Sequence, residues 1–287
     1  MELQQLRYVL AIAETRNFTR AARQCHVVQS ALSHQVKALE RELGVTLFAR
    51  TSRRVELTVA GEAFLPHAQA ALDAAERASA EAVSAATGQI RGSLVLGLIP
   101  TVTAFDLPAV LREYHHAHPL VRIALREAGS HDLIEAVIAG EIDVAVLGLP
   151  ESTQPSGVRV RELARERHVA VVSVRHRFAG RKRLALEDLA DERFADFIVG
   201  SGGRAQCDVA FESAGLTREV VFEAASPDLI CRLIEQDLAV ALLPPALLAR
   251  RPGLVAIPVT SGPSRIQFLA WSDFNPSPAT SAFLDLV

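Results

Sequence analysis

The sequence predicts an α/β chain with an all-α-rich N-terminal head: a winged helix-turn-helix, then a long linker helix, then a body of two α/β lobes. Three observations predict it. Residues 1–57 carry short helical patterns and then two short alternating segments around a basic turn. Twelve of residues 58–87 are alanine, the best helix former. From Ser93 onward strand and helix patterns alternate, which implies βαβ units and parallel sheets.

The chain has 287 residues, enough for two or three domains. With 49% hydrophobic and 22% charged residues it can bury a core, so disorder along most of its length is excluded. No run approaches the length of a membrane span. The first residues lack a basic segment followed by an apolar run, so no secretory signal is expected. Cys25, Cys207 and Cys231 are few, odd in number and far apart, which fits a reducing cytoplasm rather than a disulfide framework. The net charge of −3 hides an asymmetry. Residues 1–65 carry nine Lys/Arg against six acids, and the remainder carries 21 against 27. A basic head on an acidic body points to a nucleic-acid module joined to something else.

In the head, Leu3, Leu6, Val9, Leu10 and Ala13 share one helical face. Thr19 is expected to cap a short helix from Arg20 to Cys25. A longer helix is expected from about Gln29 to Leu43, closed by Gly44 in a left-handed C-cap. Residues 45–50 and 55–58 then form a hairpin around the polar turn 51–54. Thr58 caps the alanine-rich helix. Its apolar stripe, through Phe64, Leu65, Ala68, Leu72, Ala75, Ala82 and Val83, is narrow enough to pair with a second helix. Pro66 is expected to bend it or set its first turns apart.

In the body, strands are expected at 94–98, 121–125, 142–149, 168–174, 195–199, 219–223, 238–243 and 267–271. Helices are expected at about 103–116, 131–139, 203–214 and 227–236, and after Pro276. The last strand and helix return to the first lobe. A ligand then belongs between the lobes, beyond the carboxyl ends of the strands.

Several strings make the reading specific. They are Phe18-Thr19-Arg20-Ala21-Ala22, Gln29-Ser30-Ala31-Leu32-Ser33-His34-Gln35-Val36, Leu43-Gly44-Val45-Thr46-Leu47-Phe48-Ala49-Arg50, and Leu57-Thr58-Val59-Ala60-Gly61. Together they closely resemble the DNA-binding head of LysR-type transcriptional regulators. Gly140-Glu141-Ile142-Asp143-Val144-Ala145, Ala214-Gly215 and Leu243-Pro244 extend the resemblance through the body. It implies residues 1–58 as the winged helix-turn-helix and 59–88 as a linker and dimerisation helix. Residues 89–287 would be a periplasmic-binding-protein-like effector domain. Its lobe I spans about 92–161 and 266–287, and lobe II about 162–265. The implied partners are double-stranded DNA, a small-molecule effector, and further copies of the chain as a homodimer and homotetramer. RNA polymerase is a candidate partner. The sequence departs from the family at Val28, where a capping Ser is frequent, and at His34, where Arg is frequent.

A recognition helix reads bases with polar side chains near its N-terminus. Gln29, Ser30, Ser33 and His34 form that face, with Lys37 placed for phosphate. Arg50, Arg53 and Arg54 fall at the wing, to follow the backbone or enter the minor groove.

For the effector, Pro100, Thr101 and Thr103 are expected where a strand ends and a helix opens. Ser130 and Ser226 open two further helices. Phe197, Gly200, Ser201 and Arg204 belong to a Gly-rich loop and helix start in lobe II. Free amides, helix dipoles and hydroxyls there suit a carboxylate or another polar metabolite. The glycines follow no dinucleotide pattern, so no cofactor is assigned. His115, His116 and His118 before Pro119 read as a solvated helix end rather than a metal site. No nucleophile elbow or paired carboxylates suggest an enzyme. Two alternatives stand beside the DNA-binding regulator: a solute-binding protein, and a redox-sensing regulator using Cys207 or Cys231.

Overall fold

The computed structural model describes residues 1–50, 55–249, 251–274 and 276–287, and the side chain of Arg50 is not included. The chain divides into two compact units, Met1–Gly92 and Ser93–Val287.

The first unit opens with α1 (Leu3–Thr15), α2 (Phe18–Gln24) and α3 (Gln29–Leu43). Val9, Ile12, Ala21, Leu32, Val36 and Leu39 are buried together where the three helices meet. The cap of α2 is Asn17, not Thr19: its side chain accepts the amides of Thr19 and Arg20 at 2.9 and 3.0 Å. Asn is as strong a cap as any residue, and one position earlier it leaves Thr19 inside the helix. Gly44 closes α3 at φ 73°, a conformation that glycine adopts without strain.

Strands β1 (Phe48–Arg50) and β2 (Val55–Leu57) pair antiparallel, Phe48 opposite Leu57. Glu40 on α3 accepts the amides of Leu47 and Phe48 at 2.8 and 3.2 Å, which ties the recognition helix to the wing. The wing-turn residues Arg53 and Arg54 lie outside the described residues.

Helix α4 (Val59–Thr87) follows, capped by the Thr58 hydroxyl on the Gly61 amide. A side chain at Gly61 would meet the Leu47 carbonyl oxygen at 2.2 Å, so the helix approaches the wing only through glycine there. The helix runs through Pro66 without interruption. Its apolar stripe is divided. Ala68 and Leu72 are buried on Leu6 of α1, with Leu10 and Phe64 beside them. Leu72 is therefore covered by its own chain. Ala82 and Val83, further along, are exposed.

The second unit holds two lobes. Lobe I begins with β3 (Gly92–Leu98), α5 (Leu107–Ala117), β4 (Val121–Glu127), α6 (Ser130–Ile138), β5 (Val144–Leu149) and β6 (Arg159–Arg167). Lobe II contains β7 (Val169–Ser173), β8 (Leu184–Ala185), β9 (Arg193–Asp196), α7 (Gly202–Ser213), β10 (Glu219–Glu223), α8 (Pro227–Glu235), β11 (Ala241–Leu243) and β12 (Leu254–Thr260). The chain then returns to lobe I through β13 (Ser264–Trp271) and α9 (Pro278–Leu286). Lobe I is built on a sheet of order β4-β3-β5-β13-β6. Lobe II has a sheet of order β11-β7-β12-β8 and a parallel pair, β9 and β10. The chain leaves the first sheet after Arg167 and rejoins it at Ser264.

The sheets are mixed rather than parallel. β3 and β5 are parallel, but β13 runs antiparallel to both β5 and β6, and β7 runs antiparallel to β11 and β12. The reason is the double crossover: strands that return from the other lobe arrive without a helix to reverse them. Strands β6, β8 and β12 were not anticipated. α9 docks on α5, where Tyr114 and Phe283 meet edge to face and the Tyr114 hydroxyl donates to the Ala279 carbonyl at 2.8 Å.

Candidate functional site: an exposed helix face and an interlobe cavity

On α3 the buried positions Leu32, Val36 and Leu39 fix which side faces outward. Gln29, Ser30, His34 and Lys37 are exposed there, and Ser33 is half-buried among them. Val28 stands at the N-cap without a side-chain hydrogen bond. The first amides of α3 therefore carry the positive end of the helix dipole outward, unquenched by a cap. An exposed polar face on a rigid three-helix core, with a free helix start, is suited to phosphate oxygens and base edges.

In the second unit a cavity of about 750 Å³ lies between the lobes. From lobe I it is lined by Pro100, Thr101 and Ser130, and from lobe II by Phe197, Gly200, Ser201 and Ser226. The starts of α6, α7 and α8 thus all border it. Ser201 caps α7 on the Arg204 amide and Ser226 caps α8 on the Leu229 amide. Gly129 at the start of α6 offers no side-chain cap.

Two expected residues take other roles. Thr103 does not open a helix, because α5 starts four residues later at Leu107, capped by Asp106 on the Ala109 amide at 3.1 Å. Instead the Thr103 hydroxyl donates to Glu166 and accepts from Gln267 and Arg265. Arg204 does not line the cavity. It is held by Asp208 at 3.1 Å and Glu223 at 2.8 Å, which draw its guanidinium along the outside of lobe II. Ser130 does line the cavity, but its hydroxyl is engaged. It donates to the Gly148 carbonyl at 3.1 Å and accepts the Gly148 amide at 3.0 Å.

Sequence reading missed Arg265 and Gln206. Arg265 is 2% exposed and lines the cavity floor. Its Nε donates to Glu166 at 3.0 Å, its Nη1 to the Thr101 hydroxyl at 2.6 Å and its Nη2 to the Thr101 carbonyl at 2.8 Å. Burial pulls the Arg265 pKa down and Glu166 pushes it back. This fork holds the loop after β3 in place. Gln206 is 3% exposed and crosses between the lobes, its Nε2 donating to the Gly148 carbonyl at 3.1 Å. A run of like cation patterning would have flagged neither residue; both sit inside apolar elements, and only the fold brings them to Gly148.

Asp196 fixes Phe197 at the cavity. It accepts the Phe197 amide at 2.7 Å and pairs with Arg218 at 2.6 Å. Burial pushes its carboxyl up, and Arg218 opposes that. Cys207 and Cys231 are both free and 1% exposed, in two different core clusters. Burial raises both thiols, Cys207 strongly, with Asp196 adding to the effect on Cys207. Cys25 is half-buried against the head core, and burial raises it too. Among the described residues no group of His, Cys, Asp and Glu is placed to hold a metal ion.

Comparison with known proteins gives two family matches. Residues 3–62 match the bacterial regulatory helix-turn-helix protein of the lysR family, and residues 87–287 match the LysR substrate binding domain. The HTH-type transcriptional regulator AlsR of Bacillus subtilis is 34% identical over 246 residues, 85% of this chain and 80% of that protein. A hydrogen peroxide-inducible genes activator of Pectobacterium carotovorum is 32% identical over 261 residues, 90% of this chain and 85% of that protein. The crystal structure of full-length CbnR complexed with its target DNA superposes with a TM-score of 0.77 at 25% identity, covering 100% of this chain and 99% of that one. Helix-turn-helix head, two-lobed body and these matches agree: the chain belongs to the LysR family of DNA-binding transcriptional regulators with an effector-binding domain, a family of regulators rather than enzymes.

Proposed function

We propose that the chain works in the cytoplasm as an effector-controlled regulator, with residues 1–58 as the head, 59–88 as the linker and 89–287 as the effector domain. It reads double-stranded DNA with Gln29, Ser30, Ser33 and His34, and Lys37 meets phosphate. The wing arginines Arg50, Arg53 and Arg54 contact the backbone or the minor groove. Two chains pair through α4 beyond Leu72, which presents two heads to two half-sites, and two such dimers form the tetramer. A small carboxylate or similarly polar metabolite binds between the lobes, near Pro100, Thr101, Ser130, Phe197, Gly200, Ser201 and Ser226. Its preference for one arrangement of the lobes shifts the placement of the heads, where RNA polymerase is the candidate partner.

The observation that carries this reading is the outward polar face of α3 with its uncapped N-terminus. The convergence of three helix starts on one cavity supports the anionic effector. No helix among the described residues is long and apolar enough to cross a membrane. The redox alternative has less support: a sensor thiol needs an exposed, stabilised thiolate, and Cys207 and Cys231 are buried with raised pKa values.

Footprinting of the DNA upstream of its own gene, over a salt series, tests the reading. A protected inverted repeat with steep salt dependence is expected. Gln29→Ala with Ser33→Ala should reduce discrimination between specific and random DNA more than total affinity. Lys37→Ala should lower the salt slope by about 0.9. Equal losses on specific and random DNA, or an unchanged slope, would remove these residues from the interface.

A further inference from the structure

We propose that the interlobe cavity takes a small carboxylate with a hydrogen-bond donor, hydroxyl or ammonium, on the carbon next to the carboxyl group, and that Gln206 reads this donor. The inference rests on the effector reading above and narrows it.

The carboxylate half follows from the walls. Helix α6 starts at the cavity with Gly129 as an N-cap that supplies no side-chain oxygen. The Ser130 hydroxyl is fully engaged by Gly148. Across the cavity, Ser201 accepts only the Arg204 amide, which leaves the Gly202 and Gly203 amides at the start of α7 without a cap. Two helix starts of nine and twelve residues therefore direct unquenched amides at one space.

The donor half follows from Gln206. Its Nε2 donates across the lobes to Gly148, while its Oε1 is buried and has no partner. The amide cannot turn over, because that would set its oxygen against the Gly148 carbonyl oxygen. Buried acceptors left unmatched are rare, and each one costs stability. The nearest strong donor, Arg265, is engaged: Nε and Nη2 hold Glu166, and Nη1 and Nη2 hold Thr101. The partner of Gln206 Oε1 therefore arrives with the ligand. Ile99, Phe197, Ile198 and Val199 offer an apolar wall for the rest of the molecule. Glu127 and Asp132, exposed at the lining, disfavour a second anionic group and suit a neighbouring donor.

The test uses the full chain and three acids with one carbon skeleton: 4-methylpentanoate, 2-hydroxy-4-methylpentanoate and leucine, titrated calorimetrically without DNA. The hydroxy or the amino acid should bind about tenfold more tightly than the plain acid, the size of one net hydrogen bond. Which of the two wins identifies the donor as hydroxyl or ammonium. Gln206→Met should reduce the preference to about twofold or less, and Gln206→Glu, which keeps an acceptor, should retain it. Equal binding of all three acids overturns the proposal, as solvent would then satisfy Gln206 equally well. No binding up to about 10 mM overturns the ligand class. A preference that survives Gln206→Met removes Gln206 from it. The wild-type comparison decides by itself if the variants do not fold. An acid that binds without altering any footprint would leave this inference standing and count against effector control, whereas a footprint with no binding acid would overturn this inference alone.

Discussion

His168 should make the effector domain acid-sensitive, and the size of that effect follows from its surroundings. The residue joins β6 to β7 where the chain crosses between lobes, its amide donating to the Pro263 carbonyl at 2.8 Å. The side chain is 2% exposed, and neither ring nitrogen has a hydrogen-bond partner. Burial, with the nearby Arg265 charge, lowers its pKa from 6.5 to about 3. The folded state therefore keeps the ring neutral while the unfolded chain takes up a proton as the pH falls through 6.5. Stability is unaffected above that value and is lost progressively between about 6.5 and 3. At 1.36 kcal/mol per unit, the loss reaches about 2 kcal/mol by pH 5. His168→Leu should abolish this component. It also removes two unpaired buried nitrogens, so the variant should be as stable as the wild type, or more so, near neutral pH. Urea unfolding followed by fluorescence of Trp271, the single tryptophan, reports on the sheet that contains β6 and β13. Comparing wild type with variant at about pH 7.5 and pH 5 cancels every other titrating group. Parallel losses for the two proteins would refute the reasoning. So would a variant weaker by more than about 3 kcal/mol near neutral pH, because the ring would then be making interactions that its surroundings do not supply.

Two further predictions concern the buried charge and the thiols. Arg265→Met should destabilise the second unit by about 3 to 5 kcal/mol, since it strands Glu166 and releases Thr101; urea unfolding that stays within about 1 kcal/mol of wild type would contradict the clamp. Hydrogen peroxide should leave DNA protection unchanged in both wild type and Cys207→Ala, because a thiol 1% exposed and raised in pKa does not supply the reactive thiolate; a peroxide response lost in the variant would restore the redox reading.

What the sequence discloses depends on the distance over which each signal acts. The head is legible because its determinants are local. The apolar spacing of Leu32, Val36 and Leu39 orients α3, Gly44 ends it, and the polar side follows by exclusion. Even the misplaced cap is a local error, one strong capping residue chosen two positions from another. The start of α5 was also locally available, in Asp106 followed by Leu107-Pro108, but Pro100 and the threonines offered a competing helix start. Strand β6 hid for a different reason. Its four arginines and two glutamates suit an edge strand, and a bulge opposite Gln267 and Phe268 breaks the two-residue alternation that would have exposed it. Pro258 likewise argued against β12, which pairs on both sides.

The cavity is legible only in part, and the division has a physical cause. Helix starts carry their own signatures, so Ser130, Ser201 and Ser226 could be read one by one as candidates for a shared space. The groups that decide what each of them does come from elsewhere in the chain. Gly148 takes the Ser130 hydroxyl, and the same carbonyl takes the Gln206 amide from the other lobe, 58 residues away in sequence. Thr101 is held by Arg265, 164 residues further on. A side chain at Gly148 would meet Ile99 at 2.7 Å and Arg265 at 3.4 Å, and one at Gly202 would meet the Gly148 carbonyl at 3.2 Å. Close approach of the lobes at this point thus depends on two glycines that look unremarkable in their own segments. A ligand that pulls on Gln206 acts on the one side-chain amide that already spans this approach. Its binding energy therefore bears directly on how the lobes are held together.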